Sequence, residues 1–521
     1  MNLKTLKPAV RKAVAPTIVV TLIFFLTYFV FGAENSMIGP FATLSFLRFR
    51  NMHGHYGCII KNYAVFAVMA VLAFFAVMNL PLCIIINGLA LFWIADMLID
   101  EYDPTNYFPM GMALIFFQIA PVDTLSGLLN RIAALAATFV IVFLFVLILA
   151  KMDKKKHPLQ DLIRDGFSNC RKQIELCREA ADGADNKAGL EELHRALRSV
   201  SLECSGEIYS YNRASLFPRG KTNWYCHFIL VFQVINYFTR NYDHDRNLEK
   251  AEKLYHDFAL EFSSQIPTAD YRRMNFRLKK PDLRSFRLRF ALRQVITVTP
   301  CLAFALISGL PNIYWLVISV FFMMIPFTDH TMQRIKQRVS GTIAGIVICL
   351  GLFSLFPGFP ARVVIMTLAN FLIYGANGYG PTVAYITCSA LAIQSIDTAV
   401  IPVLLQRLIY TAAGGCIALL ANYLIFPIRL KNQCAYLADM TASIRNEITD
   451  LLEHTAPGDE NRRFQIDQRI IKSYLIFKRL ENMQETLPEK DQIPDYRKFE
   501  EEHIEFMAAC LSKYLLYYNF S

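Results

Sequence analysis

Arg131 and Arg407 are placed for charge chemistry. Each stands thirteen residues after a glutamine, Gln118 or Gln394, and each follows closely on an aspartate, Asp123 or Asp397. Both arginines open an apolar run. A charge in hydrocarbon costs at least about 2.5–3.5 kcal/mol on insertion scales, so it needs a partner, water or a function. An Asp–Arg pair at such a place can act as a gate that opens when a charged solute passes, and the aspartate can carry a coupled proton. The same residues at a membrane interface would simply reach into the headgroups. The sequence leaves both readings open.

A second set, Arg48, Arg50, Arg334, Lys336 and Arg338, lies at the ends of apolar runs. Such charges set topology. They can also ring the mouth of a path and concentrate anions there. The planar fork of arginine suits a carboxylate, to which it donates two parallel hydrogen bonds. Tyr314 and Trp315 open another run, where they either anchor the chain at the interface or stack on an aromatic solute.

Signatures of enzyme chemistry are weak. Arg219-Gly220-Lys221-Thr222 mimics the end of a phosphate-binding loop, but the required first glycine is Ser215. Gly375, Gly378 and Gly380 are ordered the wrong way for a dinucleotide fingerprint. No G-x-S-x-G or H-E-x-x-H is present. His53 and His55 have Cys58 but no full set of Cys and His ligands nearby, and no Cys-x-x-Cys occurs among the twelve cysteines, so no metal is expected. Six of those cysteines lie in apolar runs and read as small buried hydrophobes. The expectation is a non-enzyme without cofactors.

The elements that must position these residues follow from composition. Of 521 residues, 54% are hydrophobic and only 18% are charged, against about a quarter charged in a soluble domain. Apolar runs at about 13–31, 36–47, 59–78, 82–99, 108–120 and 128–150 suit membrane helices. Lys151 begins a charged stretch. The apolar signal returns at about 290–310, 312–327, 340–356, 361–378, 380–396 and 404–426. The expected domains are therefore 1–150 (membrane), 151–285 (soluble, helical), 286–430 (membrane) and 431–521 (soluble, helical). The net charge of +10 gathers beside apolar runs, as at Lys4–Lys12 and Lys151–Lys156. That pattern indicates a membrane protein with both termini cytoplasmic, with no nucleic-acid face.

Six spans per half satisfy the basic ends. The halves also echo each other, through the Gln–Arg spacings and through Pro40-Phe41 before Arg48 against Pro326-Phe327 before Arg334. An even number of spans per repeat makes a parallel duplication. The expected fold is all-α: a polytopic membrane protein with two parallel six-helix membrane repeats and helical cytoplasmic regions.

Arg338-x-x-Gly341-Thr342-x-x-Gly345, with Arg289–Arg293, Tyr314-Trp315 and Pro326-Phe327 before it, resembles the signature of the fusaric-acid-resistance family. That family is related to aromatic acid exporters and aluminium-activated malate transporters. The resemblance is strongest over about 285–430. Physically, Gly341 and Gly345 let a neighbouring helix approach and Thr342 can hydrogen-bond within the bundle. What the resemblance implies is an exporter of aromatic carboxylic acids or similar organic anions in a bacterial inner membrane. An anion channel of the same architecture, or a membrane scaffold with a partner-binding cytoplasmic domain, are the alternatives. The partners implied are the lipid bilayer and a small organic anion, with a homo-oligomer or a periplasmic adaptor left open.

Overall fold

A computed structural model describes residues 3–50, 57–99, 105–152, 158–214, 221–243, 246–264, 285–356, 358–376, 378–394, 400–454 and 460–518. Among these residues the chain is all helix. The chain divides into two compact units, one of Met1–Met152 with Lys280–Leu430 and one of Asp153–Lys279 with Lys431–Ser521.

The first unit opens with α1 (Leu3–Val30), α2 (Ile38–Phe49), α3 (Gly57–Ala76), α4 (Leu80–Leu98), α5 (Phe108–Ile119) and α6 (Leu125–Met152). The chain leaves this unit for α7 (Pro158–Ala181), α8 (Lys187–Ala214), α9 (Lys221–Arg240) and α10 (Asn247–Ser264). It returns with α11 (Phe286–Ser308), α12 (Tyr314–Met323), α13 (Thr331–Leu355), α14 (Phe359–Gly375), α15 (Tyr379–Gln394) and α16 (Val400–Leu424). It ends in the second unit with α17 (Leu430–Glu453), α18 (Glu460–Thr486) and α19 (Tyr496–Tyr518).

Seven helices of the first unit are long and apolar enough to cross a membrane, in α1, α3, α4, α6, α11, α13 and α16. Their outward faces carry large apolar side chains such as Leu89, Leu129, Val347 and Leu424, as helices in hydrocarbon require. Others are short. At 1.5 Å per residue the ten residues of α12 cover about 15 Å, half of a typical hydrocarbon core. Both ends of such a helix leave backbone groups inside the protein, and these need partners.

Within the unit, α1 packs on α14 and α4 on α11. The further pairs α2·α6 and α12·α16, and α3·α5 and α13·α15, also form. Where α13 crosses α15, a Cβ on Gly341 would stand 2.7 Å from the Gly380 carbonyl oxygen. One on Gly345 would stand 2.6 Å from that of Ala384. These glycines are therefore packing residues, and they allow backbone to touch backbone.

Three sequence expectations change here. The apolar run near 340 marks only part of α13, which begins at Thr331. Arg334, Lys336 and Arg338 therefore lie in the first turns of a helix and not in a loop, because hydropathy registers the apolar length while a helix continues wherever one face stays packed. Pro40-Phe41 and Pro326-Phe327 also fall on different elements, the first inside α2 and the second after α12. Cys416, expected inside, is exposed. His53, His55, Lys154–Lys156, Arg219, Gly220 and Asp397 lie outside the described residues.

The second unit is built from amphipathic helices around Phe167, Phe228, Phe232 and Phe258. Arg198 of α8 pairs with Glu485 of α18 at 2.6 Å, joining its two chain segments. His503 stacks on Phe477 with ring centroids 4.2 Å apart. Burial, with Arg445 nearby, pushes His503 down to about 3. The unfolded ring takes a proton near pH 6.5, so stability from neutral His503 is complete above that pH and falls as the pH drops from about 6.5 toward 3. His503→Phe is expected to flatten this acid loss in a thermal melt of the full chain. An unchanged slope between pH 6.5 and 4 would show that the group does not drive it.

Candidate anion site in the second half

Among the described residues of the membrane unit, five arginine side chains are buried: Arg131, Arg293, Arg338, Arg362 and Arg407. Arg362 lies over the Phe353 ring at 3.4 Å with Nη1 unpartnered, and the other four divide into two kinds.

Arg131 is saturated with acceptors. Its Nε donates to Asn35 Oδ1 at 3.1 Å, Nη1 to the Phe117 carbonyl at 3.0 Å, and Nη2 to the carbonyls of Glu34 (3.1 Å) and Ala120. Phe117 and Ala120 are at the C-terminal end of α5. Arg131 thus caps a buried helix end, where carbonyls have no intrahelical donors. Asp123 is exposed, and no ion pair joins it to Arg131. Arg293 does the same work elsewhere. It donates to the carbonyls of Ile325 (3.2 Å), Pro326 (3.1 Å) and Phe426 (3.2 Å) and to Asn422 Oδ1 at 2.8 Å. In the sequence Arg293 stands out only as part of the Arg289–Arg293 pattern, and its clamp role has no local signal.

Arg407 and Arg338 make no such set of bonds. Nε and Nη1 of Arg407 and Nε of Arg338 are buried without a hydrogen-bond partner, as is Nε of Arg293, whose other nitrogens are taken up. Among the described residues, no carboxylate pairs with either one. Arg407, in α16, lies over the ring of Trp315 at 3.4 Å from its centroid. Arg338, in α13, lies 5.1 Å from the ring centroid of Phe322. These are the second and ninth residues of α12, so the two guanidiniums approach the short helix from opposite ends. One helical turn before Arg338, Arg334 lies over the Tyr379 ring of α15 at 3.2 Å and donates to the Phe322 carbonyl at 3.3 Å.

Other orphaned polar atoms lie on the same helices and on α15. They include Trp315 Nε1 and Ser319 Oγ on α12, Thr342 Oγ1 on α13, Tyr379 OH on α15 and Thr411 Oγ1 on α16. Buried polar groups are nearly always satisfied by protein, water or ligand. A cluster rich in N–H and O–H donors, with two cations and aromatic faces, fits an anion bearing a ring.

At the Trp315 end a polar knot closes the site. Tyr314 OH donates to Asn312 Oδ1 at 3.2 Å, Asn312 Nδ2 donates to Gln406 Oε1 at 2.6 Å, and Gln394 donates to both Asn312 and Tyr314. In the first half Gln118 exchanges two hydrogen bonds with Asn87, at 2.7 and 2.9 Å. Both glutamines therefore bridge helices.

The structure brings Arg334, Arg338, Arg407, Trp315, Tyr314 and Gln394 to one region of the second half. Arg48 and Arg50 are half-buried at the end of α2, and Lys336 is exposed. Arg48 donates to Asn106 Oδ1 at 2.9 Å.

An all-helical multi-pass membrane protein with a buried cationic and aromatic site in one half is the class that this geometry defines. Residues 300–421, which hold that site, match the family described as fusaric acid resistance protein-like. The family is associated with efflux and transport. The chain is 26% identical to inner membrane protein YccS of Escherichia coli over 179 residues, 33% of this chain and 25% of the relative. It is 32% identical to an uncharacterized Synechocystis protein over 149 residues, 28% of this chain and 19% of that one. It is 29% identical to an uncharacterized Haemophilus influenzae protein over 144 residues, 27% and 20%. The chain thus spans a quarter or less of the length of these relatives. No solved structure matches it.

Proposed function

We propose that this protein exports organic anions, aromatic carboxylates among them, across a bacterial inner membrane, and that the anion is held between Arg338 and Arg407. It moves its solute without transforming it. The observation that carries this reading is the pair of buried guanidiniums with orphaned N–H groups, each set on an aromatic ring and neither paired with a carboxylate. A buried cation left unpaired is costly, and an anion with a flat apolar body relieves that cost on binding.

Both termini lie on the cytoplasmic side in this reading, and the basic residues at the start of α13 face the cytoplasm. With the interior negative, moving one negative charge outward gains about 2.3 kcal/mol per 100 mV. The membrane potential alone therefore drives export. The twelve helices of the membrane unit form two parallel six-helix repeats. The reciprocal packing of α1 on α14 and α4 on α11 supports this, as do the matching Gln–Arg spacings. The second unit lies in the cytoplasm.

The test is cellular accumulation of a panel of aromatic acids with and without the protein, repeated with Arg338→Ala. Wild type is expected to lower the accumulation of at least one acid, and the variant to abolish the difference. If no acid responds to the wild-type protein, the exporter reading fails. Single-channel currents in a planar bilayer would reassign the same site to a channel.

A further inference from the structure

We infer that Tyr107 and Phe108, which belong to the first half, form the gate of the anion site in the second half. The inference rests on the transport reading above and adds residues that lie outside the family-matched segment.

The evidence lies at the end of α12 nearest Arg338. Phe322, beneath the Arg338 guanidinium, is stacked on Phe108 with centroids 5.6 Å apart and planes at 21°. Phe108 also meets Phe321 edge-on at 5.6 Å. Tyr107 is buried, and its hydroxyl donates to the Met324 carbonyl at 3.0 Å, just past the last turn of α12. Its ring contacts Phe290 at 5.1 Å and Phe321 at 5.8 Å. One turn further along α5, a Cβ on Gly111 would stand 2.6 Å from Phe321 Cζ. The first turn of α5 is therefore an aromatic wedge set against the helix that separates the two arginines.

The wedge has the mechanics of a gate. Among the described residues no ion pair holds the half-buried Phe108 ring, which is kept by its ring contacts, while Arg48 ties the neighbouring Asn106 through its carbonyl and Oδ1. The opposite end of α5 is fixed by Arg131, through the carbonyls of Phe117 and Ala120. The helix is buried along most of its length and packs on α2 and α3, so the moving part is the half-buried Phe108 ring, which can turn away from Phe322. That movement frees the face of Phe322 and opens a route to Arg338. Arg131, taken up by carbonyls, holds the helix that carries the gate.

The test compares Phe108→Ala and Phe108→Trp in proteoliposomes loaded with an aromatic carboxylate. It also measures the labelling rate of Thr342→Cys by a water-soluble methanethiosulfonate, read by peptide mass. Phe108→Ala is expected to raise both flux and labelling by about two- to tenfold, the factor one aromatic contact represents. Phe108→Trp is expected to lower both. A purely structural role would depress flux in both variants and leave labelling unchanged, and that result would overturn the gate. If wild type moves no anion while labelling still follows residue 108, the transport reading fails and the gate over solvent access stands.

Discussion

Arg407→Gln is expected to abolish binding of an aromatic carboxylate while making the unliganded protein more stable. The two halves of this result have one cause. Arg407 is 1% exposed, with Nε and Nη1 unpartnered. Losing a buried charged contact to the anion should cost about 2–5 kcal/mol of affinity, roughly thirty- to several-thousand-fold. Without ligand the same charge is buried and unpaired, so a shorter, neutral amide relieves desolvation. Binding is measured through quenching of tryptophan fluorescence, because Trp315 lies directly under the guanidinium. Stability is measured by thermal melting in detergent. Arg407→Lys keeps the charge but loses the planar stacking on Trp315, and should fall between the two. If Arg407→Gln binds as well as wild type, the buried pair is not the anion site. If it binds poorly and also melts lower, Arg407 is a structural residue like Arg131.

Arg131→Met is expected to give the opposite pattern, a large loss of stability with unchanged affinity in the molecules that remain folded. The substitution strands the carbonyls of Phe117, Ala120 and Glu34 and the side chain of Asn35. Each buried acceptor left without a donor costs about 1–3 kcal/mol. With partial relaxation the total should be about 3–5 kcal/mol, in the range for breaking a buried charged network. A lowered midpoint in chemical denaturation, set beside an unchanged dissociation constant, would confirm this. A variant that melts like wild type but fails to bind would place Arg131 in the anion path.

These two arginines show how far sequence reasoning reaches. They share a thirteen-residue spacing from a glutamine and a place at the start of the last helix of each half. Nothing in their neighbours along the chain separates a clamp from a ligand site. The acceptors of Arg131 include Asn35 and Glu34, nearly a hundred residues away, so its saturation becomes visible only after folding. The aspartates that suggested gating pairs follow the same logic. Asp123 is close in sequence, yet exposed. Tyr107 was invisible for a related reason. Its partner carbonyl, Met324, lies 217 residues further on, and an aromatic residue before a proline-containing helix start carries no signal of what it will meet.

Composition and order alone determine a good deal of this protein. The apolar runs, the placement of basic residues beside them, the alternation of membrane and polar blocks and the Arg-x-x-Gly-Thr-x-x-Gly pattern are all local properties. A helix, a span or a helix-packing glycine requires only residues within a few turns of itself. The tertiary structure decided which buried cations have partners and which helix end is held by an arginine. It also decided that a residue of the first half stands at the site in the second. Charge satisfaction is not local, because a guanidinium is neutralised by whatever oxygens the fold brings within about 3 Å, and those oxygens come from parts of the chain that only folding brings together.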